Sequence, residues 1–125
     1  MYANELTFTA VPAGSGVTDF APGVRGRHTI TVTWTGPADH PTFGPVTAFD
    51  VRYSVGPITE ANFDAAPQAG LYPTLGPPGT PYCASLYNLN SCAAYYVAIR
   101  ALYGCGQPSA TSVRSTSTKC SGFLE

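Results

Sequence analysis

Apolar and polar side chains alternate along much of this chain, and the alternation is clearest over residues 93–102. The alternate positions predicted to face inward are Tyr95, Val97, Ile99 and Ala101. The positions between them, Tyr96, Ala98 and Arg100, are predicted to face outward. A period of two is typical of a strand with one buried face, so this segment is predicted to be the strand over which the rest of the fold closes.

Further strands are predicted wherever the same alternation returns. It is clear at residues 28–35, 48–55 and 82–89, and a serine- and threonine-rich strand is predicted at 109–118. Residues 17–20 are predicted as the first core strand, ended by Pro22-Gly23, and a brief edge strand is expected near Leu71-Tyr72. Residues 59–66 are typical of one helical turn with Thr59 as its N-cap. About seven short strands predict an all-β fold, an antiparallel β-sandwich.

Composition limits the classes of partner. The 125 residues, 44% of them hydrophobic, suit one domain with its own core. Charged residues make up 10% and the net charge is −1, which argues against nucleic acid and anionic membrane surfaces as partners. No segment is apolar for long enough to insert into a membrane, and no signal-peptide pattern occurs. We interpret Met1 and Leu124-Glu125 as cloning additions, so that a natural export signal would lie outside this sequence.

Four cysteines indicate the compartment. Cys83, Cys92, Cys105 and Cys120 form no C-x-x-C pair, and the two histidines are not clustered with them, so no metal site is expected. An even number of cysteines in a small β-rich chain favours two disulfides and an oxidising compartment.

No constellation of residues points to catalysis. His28 begins a predicted strand and His40 lies in a proline-rich loop, so both are expected at the surface. The carboxylates fall on different elements, and Asp50 and Arg100 are predicted to form an exposed cross-strand ion pair. We therefore expect neither an enzyme nor a cofactor.

Three segments match the pattern of one known family. They are Ile30-Thr-Val-Thr-Trp-Thr-Gly-Pro37, Phe49-Asp-Val-Arg-Tyr-Ser54, and Leu86-Tyr-Asn-Leu89 followed by Tyr95-Tyr-Val-Ala-Ile-Arg-Ala101. With these segments the chain resembles the fibronectin type III domain, in the form found in bacterial extracellular proteins. The resemblance covers roughly residues 16–118. It implies an immunoglobulin-like sandwich with Trp34 in the core and Tyr95 as the tyrosine corner, its hydroxyl bonded to main chain near residues 89–91.

The chain departs from the family in two ways. The family generally lacks disulfides, whereas this chain has four cysteines. The usual Pro-Gly-Thr in the corner before the strand of Tyr95 is Ser91-Cys92-Ala93 here. The family's connectivity implies the pairs Cys83–Cys105 and Cys92–Cys120. The chief alternative is Cys83–Cys92 with Cys105–Cys120. The domain is expected to span residues 16–120, between a tail or linker at 1–15 and a short tail at 121–125.

The resemblance implies a non-catalytic module of a larger secreted or cell-surface protein. Such a module spaces neighbouring domains or contacts a protein or polysaccharide, and we expect it to be monomeric. Phe43 and Tyr103 fall in the loops after the family's second and sixth strands, with His40 nearby, and these three residues are the candidate binding site. An alternative is a carbohydrate-binding module that stacks sugars on Phe43, Tyr72 or Tyr103. The favoured interpretation is that Phe43 and Tyr103 pack on their own loops.

Overall fold

The computed structural model describes residues 16–120, which form seven strands and two short 3₁₀ helices. The strands are β1 (Ala21–Arg25), β2 (Ile30–Thr35), β3 (Ala48–Ser54), β4 (Gln68–Pro73), β5 (Pro81–Leu86), β6 (Ala94–Leu102) and β7 (Ser112–Ser117). The 3₁₀ helices are η1 (Phe63–Ala65) and η2 (Gly104–Gly106). The predicted tails at 1–15 and 121–125 lie outside the described residues.

The strands form two antiparallel sheets that pack face to face. One sheet has the order β1-β2-β5 and the other the order β4-β3-β6-β7. The two sheets bury their facing sides against each other, as the alternation along the sequence predicts. The predicted seven-stranded antiparallel sandwich is therefore confirmed.

The core lies between the sheets and follows the predicted inward positions. Tyr95, Val97, Ile99 and Ala101 of β6 are each no more than 5% exposed. Trp34 of β2 is 3% exposed, and its ring stacks on Tyr82 at a centroid distance of 5.6 Å. Trp34 also packs edge-to-face on Phe49 of β3, with 5.4 Å between the ring centroids, and this contact joins the two sheets. Trp34 and Tyr95 thus share one interior, as expected.

The segment between β3 and β4 covers the outer side of the four-stranded sheet. It brings Ile58 and Phe63 onto Ala98, which is fully buried although it was predicted to face outward with its neighbours. The turn begins with a hydrogen bond from the Asn62 N–H to Thr59 Oγ1 at 3.3 Å. Asn62, and not the predicted Thr59, is the N-cap of η1. This segment therefore adds a second, smaller apolar cluster outside the sandwich.

The first strand lies later in the chain than predicted. Val17 and Phe20 are buried core residues, but residues 17–20 are not a strand. The strand is β1, and it includes Pro22 and Gly23, which were predicted to end it. Proline is tolerated there because β1 is an edge strand, where a missing N–H costs no ladder bond, and its pairing with β2 shifts register between Pro22 and Arg25.

The described chain enters and leaves at opposite ends of the sandwich. At one end the Ser112 hydroxyl, at the start of β7, donates to the carbonyl of Val17. At the other end the Lys119 N–H, after β7, donates to Gly26 O at 2.8 Å. Because β7 runs between these two contacts, its length separates the two ends of the described chain.

Candidate functional site

The three residues predicted to bind a ligand lie together, but two of them are buried. The His40 ring lies 4.9 Å from the Phe43 ring and 5.1 Å from the Tyr103 ring, measured between centroids. His40 is 3% exposed and Tyr103 is 2% exposed. The prediction that His40 lies at the surface is therefore wrong. These rings pack the loops after β2 and β6 against each other. Their binding of a ligand stays a prediction.

Hydrogen bonds explain why a histidine is tolerated at this buried position. His40 Nδ1 accepts from the Thr42 N–H at 2.9 Å and from the Phe43 N–H at 3.1 Å. Through these two hydrogen bonds the ring closes a tight turn in the loop after β2. On the opposite loop, a Cβ at Gly104 would overlap the carbonyl oxygen of Phe43, so only glycine allows the two loops this close approach.

Of the two tyrosines named as stacking candidates, Tyr103 is buried and Tyr72 is half-buried. Burial raises the pKa of the Tyr103 phenol, and a hydrogen bond with the Gly16 backbone opposes that rise. Burial likewise raises the pKa of Tyr72, with a smaller contribution from Tyr87. The Tyr72 ring lies 6.2 Å from Trp34 at the margin of the core.

The cysteines form one of the two predicted disulfides. Cys92 and Cys120 are bonded, which joins the corner before β6 to the end of β7. Cys83 and Cys105 are exposed free thiols, so the predicted Cys83–Cys105 bond is corrected. Cys83 pairs with Thr33 on the outward side of the three-stranded sheet, whereas Cys105 lies in η2 beyond a strand of the other sheet. The two thiols thus belong to different sheets.

His28 lies at the surface, as predicted. Its ring is exposed, and Nδ1 forms a 2.8 Å hydrogen bond to the carbonyl oxygen of Leu89. The Leu89 N–H in turn donates to His28 O at 3.0 Å. This reciprocal pair fixes the turn before β2 to the chain after β5.

Two arginines hold the outer segment to the four-stranded sheet. Arg100 lies 4.2 Å from the centre of the buried Phe63 ring, and Arg52 lies 5.2 Å from it. Arg52 pairs with Asp50 at 2.9 Å, and Arg100 pairs with Glu60 at 2.9 Å. The predicted Asp50–Arg100 pair is therefore corrected. Asp50 does lie opposite Arg100 in the β3–β6 ladder, but Asp50 pairs with Arg52 of its own strand and Arg100 pairs with Glu60 of the outer segment.

Two carboxylates with lowered pKa values hold loops in place. The Thr111 N–H, donating at 2.7 Å, is the main cause of the low pKa of Glu60, to which the Thr111 hydroxyl and Arg100 add. The Thr35 hydroxyl, donating at 2.6 Å, is the main cause of the low pKa of Asp19. Burial opposes both shifts. Both groups thus accept hydrogen bonds that depend on their negative charge.

Within 16–120, no three side chains of the types His, Cys, Asp and Glu come together in a way that could hold a metal ion. In the same part of the chain, neither 3₁₀ helix has the length and hydropathy of a membrane span.

A cleft that the sequence did not point to lies where the edges of β4 and β5 meet. Its volume is about 240 Å³. The polar residues among those that line it are Tyr53, Gln68, Ser85, Tyr87 and Asn88. These residues come from three strands and the turn after β5, so no local motif could have revealed it. The one available signal was Tyr87, an aromatic next to a turn.

Comparison with known proteins supports the fold. No family model matches the sequence, and no curated protein sequence matches it. The chain is similar in structure to the FN1–FN3 domains of chicken CNTN1, with a TM-score of 0.63 and 20% identity over 82% of this chain and 31% of that one. The chain thus spans less than a third of the length of the chicken chain.

Two single domains are similar over nearly their whole length. The fibronectin type III domain derived from human KIAA0970 protein gives a TM-score of 0.62 at 12% identity, over 98% of this chain and 87% of that one. The fn3 domain of human contactin 1 gives 0.58 at 20% identity, over 98% of each chain. The fold is therefore that of fibronectin type III domains, which is the class that the sequence resembles.

Proposed function

We propose that this chain is a non-catalytic extracellular module that spaces neighbouring domains of a longer protein and offers its surface for contact with a protein or polysaccharide. The observation that carries the spacing role is the position of the two ends. The described residues begin beside the start of β7, near Val17, and leave beyond its end, near Lys119. A domain of this kind extends a protein by its full length, because the next domain follows at the far end.

The dimensions of the sandwich give the size of such a spacer. β6 has nine residues, and at about 3.3 Å per residue it is roughly 30 Å long. Each module in a row would add about this length plus its loops.

The use of the charged groups supports a non-catalytic role. Asp19, Asp50 and Glu60 are each bonded to a side chain or main chain of the same domain. The similarity to contactin and other fibronectin type III domains supports a modular role as well. The Cys92–Cys120 disulfide supports an oxidising, extracellular location, because such bonds persist where thiols are not kept reduced.

Small-angle X-ray scattering of a two-copy fusion tests the spacing role. In the fusion, residue 120 of one copy is joined directly to residue 16 of the next, and the single chain is the control. We expect the maximum dimension to increase by about 30 Å or more relative to the single chain. A side-by-side particle, with a maximum dimension close to that of one domain, would contradict the proposal.

A further inference from the structure

The two long sides of the sandwich are closed in different ways. On the β1–β7 side, Arg25 donates from Nη1 to Ser117 O at 3.1 Å and to Ser117 Oγ at 2.8 Å. On the opposite side the edges of β4 and β5 leave the cleft of about 240 Å³. The sandwich is thus bridged on one side and indented on the other.

An exposed aromatic ring stands at this cleft. Tyr87 is 66% exposed and lines the cleft. Tyr53 and Leu86 line the cleft beside it and are partly or wholly buried. The cleft therefore combines a packed floor with an accessible ring at its edge.

Carboxamides and a hydroxyl supply the polar groups. Gln68 lines the cleft at the start of β4, and its Nε2 donates to Asp50 Oδ1 at 2.9 Å, which fixes the amide. Asn88 follows Tyr87 in the same turn, is exposed, lines the cleft and has a φ of 62°. Ser85 adds a hydroxyl. None of the residues that line the cleft is charged.

We propose that the β4–β5 cleft is a binding site for a neutral saccharide, with Tyr87 stacking on a sugar ring and Asn88 bonding its hydroxyl groups. A tyrosine ring offers an apolar face to the C–H face of a sugar, and carboxamides both donate to and accept from hydroxyls. An uncharged lining gives no attraction to phosphate or to an acidic polymer.

The size of the cleft indicates how much of the ligand it covers. It is smaller than the roughly 300–1,000 Å³ of pockets that enclose a drug-sized molecule. It therefore contacts one side of a sugar chain and does not enclose a free molecule. The site rests on the part of the proposed function that includes contact with a polysaccharide, and it is independent of the spacing role, since either could exist without the other.

Affinity electrophoresis in gels that contain an uncharged polysaccharide tests the site. The panel comprises a β-glucan, a xylan, a mannan and an α-glucan, with polygalacturonate as an acidic counterpart. We expect at least one neutral polymer to retard the wild type, and added salt to leave the retardation unchanged because no charges are paired.

Three variants locate the binding. Tyr87→Ala should weaken it about ten-fold, the effect of losing one aromatic contact. Asn88→Gly removes the amide but tolerates the positive φ, so it should weaken binding without unfolding the chain. Val24→Ala is the matched control, since Val24 is 78% exposed but lies on β1, at the other edge of its sheet. Thermal unfolding of each variant checks that the fold is intact.

The outcomes are distinct. Retardation that Tyr87→Ala and Asn88→Gly reduce and Val24→Ala preserves supports the site. If no neutral polymer retards the wild type, or if only polygalacturonate does, the proposal is overturned. Retardation that both cleft variants leave unchanged also overturns it. None of these results depends on the spacing role, which the scattering experiment tests separately.

Discussion

Tyr95 and Asn90 are joined by a hydrogen bond of 2.8 Å, from the Asn90 N–H to the Tyr95 hydroxyl oxygen. Tyr95 is 5% exposed and belongs to the central strand β6, whereas Asn90 lies in the turn that precedes it. The bond fixes that turn to the core. It also confirms the tyrosine corner that the sequence resemblance implies.

Tyr95→Phe should lower the free energy of unfolding by about 1–2 kcal/mol, because the partly buried Asn90 N–H loses its acceptor while the ring still fills the core. Urea denaturation measures the change. Tyr96→Phe, one position along on the outer side of the sheet, is the control and should stay within about 0.5 kcal/mol of wild type. Equal effects of the two substitutions would show that the corner bond adds no stability.

Acid should weaken the contacts of Glu60 and Asp19. The folded chain lowers the pKa of both groups from ordinary values of 4.5 and 3.8, through bonds from Thr111 and Thr35. Their stabilisation is therefore complete above about pH 4.5 and is lost as the pH falls through the lowered values. We expect the free energy of unfolding, measured in urea from pH 7 to pH 2.5, to decrease over this range.

Glu60→Gln separates the contribution of Glu60 from that of other groups. The variant should be less stable than wild type at pH 7, and the two curves should converge as the pH falls below the lowered pKa of Glu60. The difference is expected to be modest, since the Glu60 side chain is 61% exposed. A difference that stays constant with pH would contradict the assignment.

The Cys92–Cys120 bond should contribute strongly to stability. It closes a loop with a sequence separation of 28, for which the chain-entropy model gives about 3–4 kcal/mol. The double substitution Cys92→Ser, Cys120→Ser should lose about this amount in urea denaturation. Cys83→Ser with Cys105→Ser is the matched control and should change little, because both thiols are exposed and unbonded.

Thiol titration of the denatured, unreduced chain checks the same assignment. It should find the thiols of Cys83 and Cys105 and no others. A peptide that links Cys83 to Cys105 would restore the pairing predicted from the sequence and refute this assignment.

Phe63→Ala should detach the segment between β3 and β4. The ring is fully buried between Arg52 and Arg100, and its loss should cost about 3 kcal/mol. Hydrogen exchange should become faster at the Ala65 and Ala66 amides, which bond within this turn. Val55→Ala, at a position 70% exposed, is the control. If Phe63→Ala is no more destabilising than that control, Phe63 does not anchor the segment.

The sequence predicted the parts of the fold that depend on local alternation. β2, β3, β5 and β6 lie within or very near the predicted ranges, because each buries one side and the period of two records that burial. The first strand was placed at residues 17–20 instead of β1, because Val17 and Phe20 are buried although they do not pair with a neighbouring strand. Burial alone does not distinguish a strand from a packed loop.

The candidate site was harder to predict because it depends on which segments meet. The loop aromatics were correctly grouped, but their burial follows from the close approach of two loops at Gly104. Ala98 was expected to face outward, and the covering segment could not be inferred from β6 itself. The β4–β5 cleft requires two edges of different sheets to lie side by side, which no single segment encodes.

The covalent link at the last described residue has a mechanical consequence. When the ends of the chain are pulled apart, tension on Cys120 passes through the sulfur atoms to Cys92 as well as along the backbone of β7. β6 and β7 then lie within a closed loop that pulling cannot straighten. In the force–extension trace of the oxidised protein, the unfolded chain should therefore lack the length of the 28 residues in that loop. At about 3.3–3.6 Å per residue this is about 90–100 Å. Reduction of the disulfide should restore this length.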